Sequence, residues 1–151
     1  MVATAALASD CVLRLAGRDD VPTLMLLVDG ERLALGVVPR STLLSGTERG
    51  EIWVAETAGE VVGFCHVYRR RDGIVTIYHL AVAPEARRQG VGRRLVEIAI
   101  ADGRRCGAHV LRARCPEDLP ANAFYERLGF VRAGTEAGKR RRLIVWELSL
   151  L

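Results

Sequence analysis

The stretch Ile74-Val75-Thr76-Ile77-Tyr78-His79-Leu80-Ala81-Val82-Ala83-Pro84, followed closely by Arg87-Arg88-Gln89-Gly90-Val91-Gly92-Arg93-Arg94, decides the fold. Its first part is almost uninterrupted in hydrophobicity and rich in β-branched and aromatic residues, the pattern of a strand covered on both faces. Pro84 ends it. From Val91 onward apolar residues fall at Val91, Leu95, Ile98 and Ala99, the spacing of a helix with one buried stripe, and Gly107 is its terminator. Two glycines at the mouth of this helix let main-chain N–H groups approach a ligand, because no Cβ stands in the way. The first N–H groups of a helix have no intrahelical partner and lie at the positive end of its dipole. With four arginines around them, they predict a site for a phosphate or diphosphate.

Two common phosphate motifs do not fit. A dinucleotide fingerprint needs a third glycine and a place after the first strand of its domain. A P-loop needs Gly-Lys-Ser/Thr, and Lys139 is the one lysine of the chain. What remains is Arg87-x-x-Gly90-x-Gly92 directly after a strand ending Leu80-Ala81-Val82-x-Pro84. This resembles the diphosphate loop of the GNAT superfamily of acyl-CoA N-acyltransferases. A second motif, Ala121-x-x-Phe124-Tyr125-x-x-x-Gly129-Phe130, is similar to the other signature of that superfamily and follows in the right order. The resemblance covers about residues 52 to 148, and less securely the first strand and helix.

The resemblance implies an α/β (α+β) fold. Its mixed, mostly antiparallel sheet has six to seven strands, one parallel splayed pair and helices on both faces, in a single domain over 1–151 with residues 1–10 frayed. It implies acetyl-CoA as cosubstrate. The pantetheine enters between the strand ending at Val82 and the strand starting at His109, and bonds the backbone around Leu80, Ala81 and Val82. The diphosphate rests on the turn formed by Arg87, Arg88, Gln89, Gly90, Val91, Gly92 and Arg93. Tyr125 is the residue that relatives use as general acid, and it also borders the cofactor. Most relatives carry an asparagine seven residues before that tyrosine. Here the position is Asp118, and Asn122, three residues before Tyr125, does not inherit the role.

Transfer of an acetyl group to an amine needs two proton movements. A lysine-like amine of pKa about 10.4 costs roughly 4.6 kcal/mol to deprotonate at pH 7, whereas an α-amino group near 7.8 costs about 1. On the other side a thiolate of pKa near 8.5 leaves, and a hydroxyl such as that of Tyr125 can protonate it. The base stays open. Relatives often place Glu or His at positions matching Thr76 or Tyr78, and neither residue is a strong base. His79 has the right chemistry, although strand alternation turns it away from Thr76 and Tyr78. His66, His109 and a water chain are the other candidates. A catalytically idle acyl-CoA-binding module is the alternative reading. The acceptor is an amine on a small molecule, a protein N-terminus or a lysine; Glu31, Glu48 and Glu51 could attract a cationic one.

Charge and composition narrow the classes. The 151 residues carry 22 basic and 18 acidic side chains, a net +4 that suits an anionic ligand. No aromatic-interleaved basic stretch supports nucleic-acid binding, and no apolar run reaches the roughly 20 residues that span a bilayer. Cys11, Cys65, Cys106 and Cys115 stand singly, without metal-ligand spacing, which reads as thiols in a reducing cytoplasm and no bound metal. A homodimer through the apolar C-terminal strand is an arrangement the resemblance allows.

The remaining elements follow from local patterns. Val12 to Leu15 predicts a first strand, and Asp19-Asp20-Val21-Pro22 a helix start running to about Leu35. Residues 36 to 50 read as a short helix or a loop. Ile52–Glu56 and Val61–Tyr68 flank Ala58-Gly59 as a hairpin, and Asp72-Gly73 predicts a type I′ turn. His109–Arg114 predicts a strand parallel to 74–82. Asp118 predicts a cap for a helix burying Ala121, Phe124, Tyr125 and Leu128, with Gly129 just past its end. Phe130–Ala133 and Leu143–Leu148 predict a closing hairpin.

Overall fold

The computed structural model of the protein describes residues 10–151. The expectation that the first ten residues are frayed falls, except for Asp10, outside them. The elements are β1 (Val12–Leu15), α1 (Val21–Asp29), α2 (Arg32–Leu35), α3 (Arg40–Glu48), β2 (Ile52–Thr57), β3 (Glu60–Arg69), β4 (Ile74–Val82), α4 (Val91–Arg105), β5 (Val110–Pro116), α5 (Ala121–Arg127), β6 (Val131–Ala137) and β7 (Arg142–Ser149). The seven strands form one mixed sheet in the order β1-β2-β3-β4-β5-β7-β6. β4 and β5 are parallel, in register from Ile74↔Val110 to Ile77↔Ala113, as the strand–helix–strand pattern requires. The chain divides into two compact units, Met1–His66 with His79–Ile98, and Val67–Tyr78 with Ala99–Leu151.

In the first unit, Val21, Leu24 and Val28 of α1 and Leu43 of α3 pack with Ile52, Val54, Phe64 and Ala81. On the opposite face Gly63 lets α4 come close: a Cβ there would stand 3.2 Å from Leu95 and 3.0 Å from the Ala81 carbonyl oxygen. In the second unit the predicted alternation of β5 holds, with Leu111, Ala113 and Cys115 buried and Val110, Arg112 and Arg114 between them half-buried. Gly103 brings α4 against Val75 and Leu150. Asp102, 1% exposed, is gripped by Arg69 at 2.8 and 3.0 Å and by Arg105 at 2.7 Å. These guanidiniums hold its carboxyl below the usual range despite burial.

Of the short helix and the loop left open for residues 36–50, the helix is found, over Arg40–Glu48. Three local expectations are corrected. The first helix does not run to Leu35. It ends at Asp29 before Gly30, and a separate turn, α2, follows. The 70–73 connection is not type I′. Gly73 has φ 85° but Asp72 is not left-handed, and its carboxylate instead accepts the Ile74 N–H at 3.2 Å. The turn with two left-handed residues is Ala58-Gly59, at φ 52° and 82°. Finally, Asp118 does not cap α5. Pro120 occupies that place, Ala121 is exposed, and Asp118 pairs with Arg141 at 3.0 Å.

Candidate active site

The turn between β4 and α4 is braced from within the first unit. Arg87 Nε donates to the Val82 carbonyl oxygen at 3.1 Å, and its terminal nitrogen pairs with Glu31. Gln89 Nε2 donates back to the Glu85 carbonyl at 3.1 Å. Arg88 at φ 63° and Gly90 at φ 83° are left-handed, and the Arg88 conformation is a strained one for a residue with a Cβ. The first helical bond runs from Arg94 N–H to Gly90 O at 3.1 Å. The N–H groups of Val91, Gly92 and Arg93 therefore precede any intrahelical partner and project from the helix mouth. Arg94 ties the helix down by donating to the Cys11 carbonyl at 2.7 Å. Arg88 makes no ion pair among the described residues, and exposed Arg93 reaches Glu97 at 3.7 Å only. Main-chain donors, a helix dipole and uncommitted guanidinium charge meet here, which is the donor set a diphosphate requires.

The end of β4 offers backbone groups to one side. Ala83 N–H donates to Val62 O at 2.8 Å, and the Ala81 carbonyl faces Gly63, so these two residues bond toward β3. Backbone polar groups alternate along a strand. Those of Leu80 and Val82 thus point to the edge away from β3, where the Val82 carbonyl meets Arg87.

Beside them lies a buried cluster that the sequence did not assemble. His66 on β3, 3% exposed, stands 3.3 Å from Glu51 through Nε2, and its ring centroid is 5.6 Å from that of His79 on β4. Burial pushes His66 down from its ordinary value, opposed by Glu51. Burial and the neighbouring His66 push His79 down to about 4. Both rings are therefore neutral at pH 7. The expectation that His79 faces away from Tyr78 is wrong. Tyr78 stacks on Tyr68 at 5.3 Å, His79 meets His66, and Tyr68 and His66 lie two apart on one strand and share a face. Alternation along β4 breaks between Tyr78 and His79. His109 stands apart, packed on Gly73.

In the second unit Tyr125 is 7% exposed, edge-on to Phe124 and Phe130 at 5.4 and 5.3 Å. Gly129, at φ 95°, ends its helix as expected. Asn122 is a structural residue. Its amide donates to the carbonyls of Pro116 and Leu119 at 2.8 and 2.9 Å and accepts Trp146 Nε1 at 2.8 Å. A motif reading keyed to Tyr125 has no signal for that latch, because its partners come from the end of β5, the connection after it and β7. Burial, with Asp118 adding to it, pushes the Cys115 thiol up to about 11, so it is no nucleophile at neutral pH.

Residues 48–132, more than half of the chain, match the family model "Acetyltransferase (GNAT) domain". The chain belongs to the GNAT acetyltransferases. A relative, 5-NmdU N-acetyltransferase of Pseudomonas phage PaMx11, is 38% identical over 93 residues, which is 60% of this chain and 64% of that protein. The chain spans between 32% and 64% of the length of the curated relatives it matches. Among solved structures, Ard1 from Thermoplasma volcanium superimposes with a TM-score of 0.85 at 20% identity, over 94% of this chain and 99% of that one. The protein yncA from Salmonella typhimurium, solved with its cofactor acetyl-CoA, gives 0.77 at 24% identity over 93% and 94%. These two likenesses establish the GNAT fold.

Proposed function

We propose that this GNAT protein moves the acetyl group of acetyl-CoA to a primary amine by direct attack in a ternary complex. The observation that carries the reading is the Arg88–Arg93 turn, whose open N–H groups and exposed guanidiniums fit the diphosphate of coenzyme A. The N-acetyltransferase relative and the acetyl-CoA complex of a fold neighbour support the same donor.

Leu80 and Val82 hydrogen-bond the pantetheine through the backbone groups turned away from β3, and Arg87 braces the loop rather than binding phosphate itself. The amine nitrogen attacks the thioester carbon, and the C–S bond breaks. His79, adjacent to Leu80 and in the neutral form that can accept a proton, takes it from nitrogen, although burial and the neighbouring His66 make it a weaker base than free imidazole. His66, hydrogen-bonded to Glu51, is a positioning residue for that ring. Tyr125 gives its hydroxyl proton to the departing thiolate, a role that rests on the Ala121–Phe130 motif. Asp118 stands where relatives carry the asparagine, and it reaches the pantetheine arm only after release from Arg141.

The test is release of free CoA from acetyl-CoA across a panel of amines and N-terminal peptides. The reading expects release that depends on an amine. Tight acetyl-CoA binding with no amine-dependent release would instead favour an idle acyl-CoA-binding module.

A further inference from the structure

A cavity of about 450 Å³ opens in the second unit, between the β3–β4 connection and the α4–β5 connection. Its volume is that of a small-molecule site, but such sites are mostly apolar and this one is cationic. Arg69, Arg70, Arg71 and His109 line it, with Asp72 as the acidic residue of the wall. None of them belongs to the turn that receives the diphosphate.

Much of the wall is fixed in place. The Gly73 carbonyl accepts the N–H groups of His109 and Val110 at 2.7 and 3.3 Å, and Arg70 N–H donates to Ile74 O at 3.1 Å. A Cβ at Gly73 would stand 2.8 Å from His109 Cδ2, so the bare glycine lets that ring close on the connection. Both Asp72 oxygens are taken: one accepts the Ile74 N–H at 3.2 Å and the other faces Arg70 Nε at 3.1 Å. Arg69 grips Asp102, which also holds Arg105. Four guanidiniums thus stand against two carboxylates. Among the described residues the Arg71 side chain has no hydrogen bond or ion pair, and Arg70 engages Asp72 through Nε, leaving its terminal nitrogens open. α4 ends beside the cavity with the negative pole of its dipole, yet its last carbonyls are covered. Those of Asp102, Gly103 and Arg104 accept the N–H groups of Cys106, Ala108 and Gly107 at 3.1, 2.9 and 3.0 Å. Positive charge is left in excess.

We infer that this cavity is a second anion site, built for an oligophosphate whose linked phosphates bridge Arg70 and Arg71. Guanidinium forks match phosphate oxygens, and a wall held in advance lowers the ordering cost of binding. Two linked phosphates engage both arginines at once, where a lone carboxylate leaves one unpaired. The inference goes beyond acetyl transfer and does not depend on it.

The experiment is calorimetric titration with tripolyphosphate at roughly 0.15 M ionic strength, where diffuse surface attraction is screened. Wild type is expected to bind it at least tenfold more tightly than sulfate. Gly92→Glu, which places a carboxylate in the diphosphate turn, retains this site, as does wild type saturated with CoA. In the Gly92→Glu background Arg71→Ala weakens binding about tenfold. Arg140→Ala, which removes an equal charge from the exposed β6–β7 turn, leaves it unchanged. ATP in the same titration tells the source of the phosphates: tighter binding than tripolyphosphate means a nucleotide, equal binding a bare chain, and both support the site. No preference over sulfate overturns the proposal. So does loss of all binding both in Gly92→Glu and under saturating CoA, which leaves the diphosphate turn as the binding place. Equal weakening by Arg71→Ala and Arg140→Ala also overturns it, since the attraction would then belong to the surface at large.

Discussion

Gly46 of α3 lies directly against His66: a Cβ at Gly46 would stand 2.9 Å from His66 Nε2 and 2.8 Å from the Ile52 side chain. The missing side chain lets α3 approach the sheet closely. Gly46 also receives the Glu51 N–H on its carbonyl at 2.9 Å, so one residue sets the place of both members of the Glu51–His66 pair. Gly46→Ala should cost about 1–3 kcal/mol of stability through overpacking. Urea unfolding measures it, and a change within 0.5 kcal/mol, a roughly neutral result, would mean that the helix can shift freely.

The histidine pair makes stability depend on pH. His79 titrates near 4 in the folded chain against about 6.5 when unfolded, and His66 is shifted the same way. Between those values the unfolded state binds more protons, so the stabilisation is complete above about pH 6.5 and is lost as pH falls toward 4. For His79 alone the loss is on the order of 2 kcal/mol after allowance for partial exposure. Urea midpoints at pH 7.5 and 5 should differ in that direction, and His79→Asn should flatten the slope. A midpoint that rises on acidification contradicts the burial of neutral rings.

Asn122 holds three hydrogen bonds among α5, the end of β5 and β7. Asn122→Ala leaves the Trp146 N–H and two carbonyls to find new partners, and should destabilise by about 2–4 kcal/mol. Asp118→Asn, which loosens an exposed ion pair with Arg141, should change stability by less than about 1 kcal/mol. Thermal melts of the two variants give the comparison. Equal effects would remove the distinction between latch and surface pair.

Tyr125→Phe preserves the edge contacts with Phe124 and Phe130 and removes only the hydroxyl. If that hydroxyl protonates the leaving thiolate, kcat should fall about 100-fold, with little change in KM for acetyl-CoA. Unchanged turnover across pH 6–9, the range around the thiol pKa of about 8.5, would remove Tyr125 as the acid.

Much of this was legible because it is local. The 74–82 strand, the glycine turn and the helix from Val91 each announce themselves by period and punctuation, and Gly129 ends α5 where the pattern says it should. The misses are tertiary. Nothing near Gly46 in sequence says that His66 will lie on it. Arg141, 23 residues on, takes Asp118 away from the cap. The break in alternation after Tyr78 shows only in which β3 side chain each neighbour meets, so a strict period of two turned His79 to the wrong face.

Calorimetric titration with acetyl-CoA tests the central claim most directly, comparing wild type with Gly92→Glu, whose side chain puts negative charge among the open N–H groups of the helix mouth. The account predicts saturable one-to-one binding by wild type and at least a tenfold weaker Kd for the variant, about 1.4 kcal/mol, with its thermal midpoint nearly unchanged. Equal affinity of the two proteins, or no binding by wild type, would contradict it.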